Sequence, residues 1–273
     1  MRESFAVALI VLVATAQTPR PSFEAASVKV NRARGPLTRI ASPTGRFSAV
    51  NVTLRMLIRN AYQLQDFRMS GGPNWMDTDR FDVEATAGAS VPLDQIRAMT
   101  RTLLEDRFHL KTHTETRELP IFVLSLARRD GKLGDQIKVS GKECLPMTPP
   151  AGAPPPPPPP PGPTANGAPG CPSMLAPGNI SGRKITITRL AATLSIFLSR
   201  EIVDKTNLSD EFDLDLRWTP DQPPPIDVRN APADPTAPPL FTAMQEQLGM
   251  KLDSLRGPVE VLVIDSAEKP TED

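Results

Sequence analysis

One series of features occurs twice in this chain, in the same order, and any fold it adopts has to house both occurrences. Each begins with a threonine ahead of an apolar stripe. Thr53 precedes Leu54, Leu57, Ile58, Ala61 and Tyr62, and Thr186 precedes Ile187, Leu190, Ala191, Leu194 and Leu198. Residues three and four apart share one face of a helix, so each stripe is the buried side of an amphipathic helix, and the threonine is placed to cap it. An alternating segment follows, DRFDVE at 79–84 and DEFDLD at 210–215. A second helical stripe comes next: Leu93, Ile96, Met99, Leu103 and Leu104 after Pro92, then Leu240, Met244 and Leu248 before Gly249. Last, Pro120 stands before Ile121 and Pro258 before Val259. Four correspondences in one order predict a tandem duplication, each unit too small to build a large core alone.

The fold class expected is therefore α+β: two tandem related units, each about two helices packed on short, mainly antiparallel sheets. Residues 17–140 form the N-terminal unit with a leading edge strand at 23–30, and residues 180–273 the C-terminal unit. The stretch 31–44, rich in Arg, Gly and Pro, reads as loop. Segments 108–113 and 121–126 read as two strands broken at 117–120. Segments 250–253 and 259–263 read as two strands joined by a turn at Arg256, Gly257 and Pro258.

Residues 1–16 have the build of a secretory signal. Arg2 supplies the positive end, residues 5–13 are apolar but too short to span a bilayer, and Ala14 and Ala16 are the small residues a signal peptidase accepts. An N-terminal anchor or a buried strand is the other reading. Export would place the mature chain in the periplasm or outside the cell. Lys plus Arg and Asp plus Glu number 31 each, so no basic excess argues for nucleic acid or an anionic membrane surface.

The 32 prolines concentrate in two places. Residues 141–179 are an insert between the units with an unbroken proline run at 154–161; residues 220–239 interrupt the second unit. A proline run favours an extended polyproline II helix, which serves as a spacer or as a docking peptide. Cys144 and Cys171 flank the run and are the only cysteines. In an oxidising compartment they are expected to close the insert as a disulfide; two unpaired thiols are the alternative.

Chemistry-bearing patterns are few. No nucleophile elbow, phosphate-binding loop or dinucleotide fingerprint occurs, so no catalytic residue, cofactor or metal is assigned. His109 and His113 read as a same-face pair on one strand. Asp79, Asp82 and Glu84, with Asp210, Asp213 and Asp215, alternate with apolar residues, as the solvent side of a half-buried strand does. Calcium binding and a carboxylate-pair hydrolase using Asp82 and Asp213 are the functional alternatives. Trp75, behind the Ser70-Gly71-Gly72-Pro73 turn, and Trp218, in a related place, are the ligand-binding candidates; closing a small core over the turn is the commoner role for such a tryptophan, and the paired positions favour it.

Taken with FEAASVK (23–29), GRF (45–47), NVTL (51–54), SGGPNW (70–75), DRFD (79–82) and LEDRF (104–108), the chain resembles a soil-associated bacterial protein family of unknown function. VDKTNL (203–208), WTP (218–220), QEQLG (245–249) and PVEVLVID (258–265) carry the same resemblance through the second half. It implies a secreted protein, one of many paralogues, without a catalytic residue to transfer. Each half is also distantly similar, through VDKTNLSDEFD (203–213) and the element order, to the short N-terminal domain of secretins and TonB-dependent receptors. That likeness implies a protein-interaction module. The function expected is a secreted, non-catalytic binding module whose partner is an envelope protein or a small ligand, or alternatively an extracytoplasmic ligand sensor.

Overall fold

The computed structural model describes residues 20–33, 35, 37–43, 45–88, 90–141, 171, 173–220 and 236–271. These form twelve strands and five helices. In chain order they are β1 (Ala25–Val30), β2 (Arg39–Ala41), β3 (Arg46–Val52), α1 (Leu54–Tyr62), β4 (Met69–Gly71), α2 (Trp75–Thr78), β5 (Phe81–Thr86), α3 (Leu93–Phe108) and β6 (Lys111–Leu126). Then come β7 (Ile137–Val139), β8 (Ser173–Ala176), β9 (Asn179–Thr186), α4 (Ile187–Leu198), β10 (Glu201–Asp204), β11 (Glu211–Arg217), α5 (Leu240–Leu248) and β12 (Met250–Ser266). Three four-stranded sheets result, ordered β1-β5-β3-β2, β10-β6-β12-β4 and β7-β11-β9-β8. Pairing is mainly antiparallel, with β10 parallel to β6.

The chain divides into two compact units, neither continuous in sequence. One comprises Met1–Leu64, Ser70–His113 and Val263–Asp273; the other Gln65–Met69 and Thr114–Leu262.

In the first unit, β5 puts Phe81, Val83 and Ala85 into the core and leaves Asp82, Glu84 and Thr86 outward. The stripe of α1 is wholly buried at Leu54, Leu57, Ile58 and Ala61, and α1 packs against α3. Thr53 caps α1 by accepting a hydrogen bond from the Met56 N–H at 3.3 Å. Between Ala49 and Val52, β3 carries one residue more than β5, a bulge that puts Asn51 at φ 57°.

In the second unit, one apolar cluster joins Ile185, Ile187, Leu190 and Leu194 to Phe212, Leu214, Met244, Leu248 and Met250. Thr186 caps α4 through the Arg189 N–H at 3.2 Å. Here β9 is bulged against β11 between Phe212 and Leu214, and Lys184 takes φ 53°. Gly249 ends α5 at φ 69°, the left-handed conformation its position predicts.

Three readings of the sequence are corrected. The stretch 31–44 contains the short strand β2, paired with β3. The strand pairs expected around Pro120 and Pro258 are the single long strands β6 and β12. A tight hairpin at Arg256-Gly257-Pro258 needs a positive φ, which Gly257 does not have. Its glycine is there for space: a Cβ would come 2.6 Å from Ile121 Cδ1. Finally, α3 runs on to Phe108, because Leu104 and Phe108 continue the buried stripe by one turn. His109 thus caps that helix at φ 46° and does not share a strand with His113.

Candidate functional site

Asn51 is the residue from which the site is built. It is 7% exposed, and its left-handed conformation is one that asparagine tolerates better than most side chains. Its N–H, freed from the ladder by the bulge, donates to Asp82 Oδ1 at 2.8 Å. Its Nδ2 donates to the carbonyls of Gly35 at 2.7 Å and Leu37 at 3.0 Å, pinning the connection between β1 and β2. Its own carbonyl accepts from Thr38 Oγ1 at 3.2 Å and from Arg80 Nη1 at 3.1 Å. Asn31 closes the circuit, donating from Nδ2 to Asp82 Oδ1 at 2.8 Å while its Oδ1 accepts the Ala33 N–H at 2.8 Å.

This network walls a cleft of about 500 Å³ whose lining includes Asn31, Arg32, Thr38, Asn51, Asp79 and Arg80. Small-ligand sites commonly measure roughly 300–1,000 Å³. Asp79 is neutralised from outside the lining, with Lys269 Nζ 2.8 Å from its Oδ2. Arg80 also reaches Met56 Sδ through Nη1, at 3.9 Å, and its Nε and Nη2 make no bond among the described residues. A cleft of about 410 Å³ in the second unit is built differently. There Arg217 pairs with Asp215 at 3.0 Å, and Gln247 bonds both the N–H and the carbonyl of Arg217, at 2.9 and 2.8 Å.

Trp75 opens α2, half-buried, its ring edge-on to Phe81 at 6.1 Å and its face 5.9 Å from Lys269 Nζ. The preceding glycines serve approach: a Cβ on Gly71, at φ 77°, would lie 2.7 Å from the Ile264 carbonyl oxygen. Trp218 is 4% exposed and packs on Phe197 at 5.8 Å.

The acidic alternation meets backbone and bases within each unit. Asp82 holds the Asn51 bulge, and Glu84 accepts from Ser48 Oγ at 2.6 Å. Asp213 accepts the Lys184 N–H at 3.4 Å and faces Arg183 Nε at 3.4 Å. Burial pushes the Asp213 carboxyl up, yet the Ser140 hydroxyl, the Lys184 N–H and the Arg183 guanidinium outweigh it and hold the group below its ordinary value. The Ser140 contact is an approach rather than a well-formed hydrogen bond, since Ser140 Oγ is buried without a partner in hydrogen-bond geometry among the described residues. His113 Nδ1 lies 2.9 Å from Asp265, and His109 Nε2 lies 3.9 Å from Glu268. Among the described residues, no group of three His, Cys, Asp or Glu is placed to hold a metal ion, and no helix is long and apolar enough to cross a membrane. Cys171 is 8% exposed. Cys144, the signal-like segment 1–16 and the proline run at 154–161 lie outside the described residues.

Reading the sequence missed Arg80, Asn31 and Asn51 as site residues. Two signals pointed there: an asparagine just ahead of a helix cap, and an Asn-Arg pair opening a Gly- and Pro-containing loop.

Fold and site thus define a mixed α+β protein with a polar cleft. It belongs to DUF3738, a family of proteins of unknown function, whose model matches residues 55–267. The loop and Asn51 that form one wall of the cleft precede the matched segment; Asp79 and Arg80 fall within it. None of the curated proteins matches the chain, and no solved structure does.

Proposed function

We propose that this chain is an exported, non-catalytic binding module and that the cleft beside Asn51 receives its ligand. The observation that carries this reading is the Asn51 network. Its buried asparagine fixes a polar wall before any ligand arrives, which lowers the ordering cost of binding. The carboxylates that could have served a hydrolase bond the bulges of their own units instead. Export rests on the signal-like residues 1–16 and favours the periplasm or the exterior. An interaction role also suits the likeness of each half to the secretin and TonB-receptor N-terminal domain.

The same reading includes a tandem duplication. In its support, Asn51 and Lys184 both take a left-handed bulge two residues before the capping threonine, and each N–H is accepted by the carboxylate following a buried Phe, Asp82 or Asp213. Gln63 and Ser199 both end the next helix left-handed, and Pro92 and Pro239 both cap the second helix.

The test is a thermal-shift screen of the purified mature chain against small metabolites, each hit then recovered and identified by mass spectrometry. A compound that raises Tm and returns unchanged is the expected result. Conversion of a hit, abolished by one side-chain substitution, overturns the non-catalytic reading. Hits whose effect survives Asn51→Gly overturn the assignment to this cleft.

A further inference from the structure

Arg80 supplies the chemistry from which a ligand class can be read. Its Nη1 is anchored to the Asn51 carbonyl, a group fixed by the bulge, so the guanidinium plane is held before binding. The anchoring leaves the edge formed by Nε and Nη2, whose parallel N–H groups match the two oxygens of a carboxylate or phosphate. That edge belongs to a side chain lining the cleft, and Arg32 lines it too. Asp79, the one carboxylate of the lining among the described residues, is paired with Lys269 and accepts from Thr78 Oγ1 at 3.3 Å, so it does not compete as the partner of Arg80. Among the described residues, the Arg80 guanidinium beside amide and hydroxyl groups, with Asp79 already paired to a lysine, makes a lining suited to an anion.

We infer that the cleft takes a small molecule bearing an oxyanion, a carboxylate or a phosphate, held bidentately on the Nε–Nη2 edge of Arg80, with Arg32 also in the lining. This rests on the reading of the cleft as the ligand site.

Isothermal titration of the mature chain with succinate, with its neutral diamide succinamide, and with inorganic phosphate tests it. Saturable binding of succinate or phosphate is expected, and which of them binds separates the two sources of the oxyanion. Succinamide should bind about tenfold more weakly or worse, and Arg80→Gln should cost about tenfold or more, the usual worth of a hydrogen bond to a charged group. Raised salt should weaken the anions and leave the diamide unchanged. Because Arg80 also bonds Asn51, Arg32→Gln is the second variant; Arg32 is exposed on the loop, an unchanged Tm verifies that the variant is folded, and the anions should then bind severalfold more weakly. Equal binding of succinamide, abolished by Asn51→Gly, overturns the oxyanion class and leaves the cleft a ligand site. Anion binding untouched by Asn51→Gly, Arg80→Gln and Arg32→Gln overturns the cleft assignment itself. Failure of both anions to bind at millimolar concentration overturns the oxyanion class.

Discussion

Replacing Asn51 by glycine and, separately, by alanine divides the two jobs this residue does. Both variants delete the hydrogen bonds from Nδ2 to Gly35 and Leu37. Two such bonds are worth about 1–3 kcal/mol together, and the freed carbonyls belong to exposed loop residues, which keeps the loss near the lower figure. Glycine keeps the left-handed backbone at little strain, whereas alanine adds about 1 kcal/mol at φ 57°. Asn51→Gly should therefore lose about 1–2 kcal/mol and Asn51→Ala about 2–3 kcal/mol. Urea unfolding in a Trp218→Phe background reads this directly, since the remaining fluorophore, Trp75, belongs to the same unit as Asn51. Equal loss in the two variants would refute the role assigned to the backbone. No loss in either would refute the network as an organiser of the cleft wall.

The Lys184 side chain makes only a part-exposed ion pair, Nζ to Glu211 at 3.8 Å, worth little, so Lys184→Gly should stabilise by up to about 1 kcal/mol in the same kind of titration, and a loss above that size would count against the parallel bulges. Asp213 has a depressed pKa in the fold, so its contribution is present above the unfolded value of about 4 and is lost as pH falls through the lower folded value. Accordingly, Asp213→Asn should flatten the acid limb of the urea midpoint between neutral and acidic pH; an unchanged limb contradicts it. Gly257→Ala should cost about 1 kcal/mol, the low end for overpacking because the displaced atom is the terminal methyl of Ile121, and Ile121→Val should recover part of that in the double variant. Intact mass of the unreduced, exported chain should be about 2 Da below the reduced mass, from a Cys144–Cys171 bond; equal masses would mean two thiols.

The helices were legible because their signal is local. Leu54, Leu57, Ile58 and Ala61 repeat at helical spacing behind a capping threonine, and all four are buried as the spacing requires. The long strand β12 was not, since Gly-Pro is the same signal whether glycine is needed for a positive φ or for space beside Ile121. His109 was misplaced because the short alternation at 108–113 gave no hint that Phe108 extends the stripe of α3. The bulges were hidden for a different reason. Lysine has no local preference for φ 53°, and Lys184 is held there by Asp213, a residue about thirty positions on. The cleft was hidden likewise, because Asn31, Asn51 and Arg80 meet only once β1, β3 and β5 are paired.

The most direct test of the binding cleft is a ¹⁵N amide spectrum of the mature chain titrated with succinate. The shifts should cluster on Asn31, Arg32, Asn51 and Arg80 and vanish in Arg80→Gln. Shifts confined to residues away from these four, or unchanged in the variant, would contradict the account.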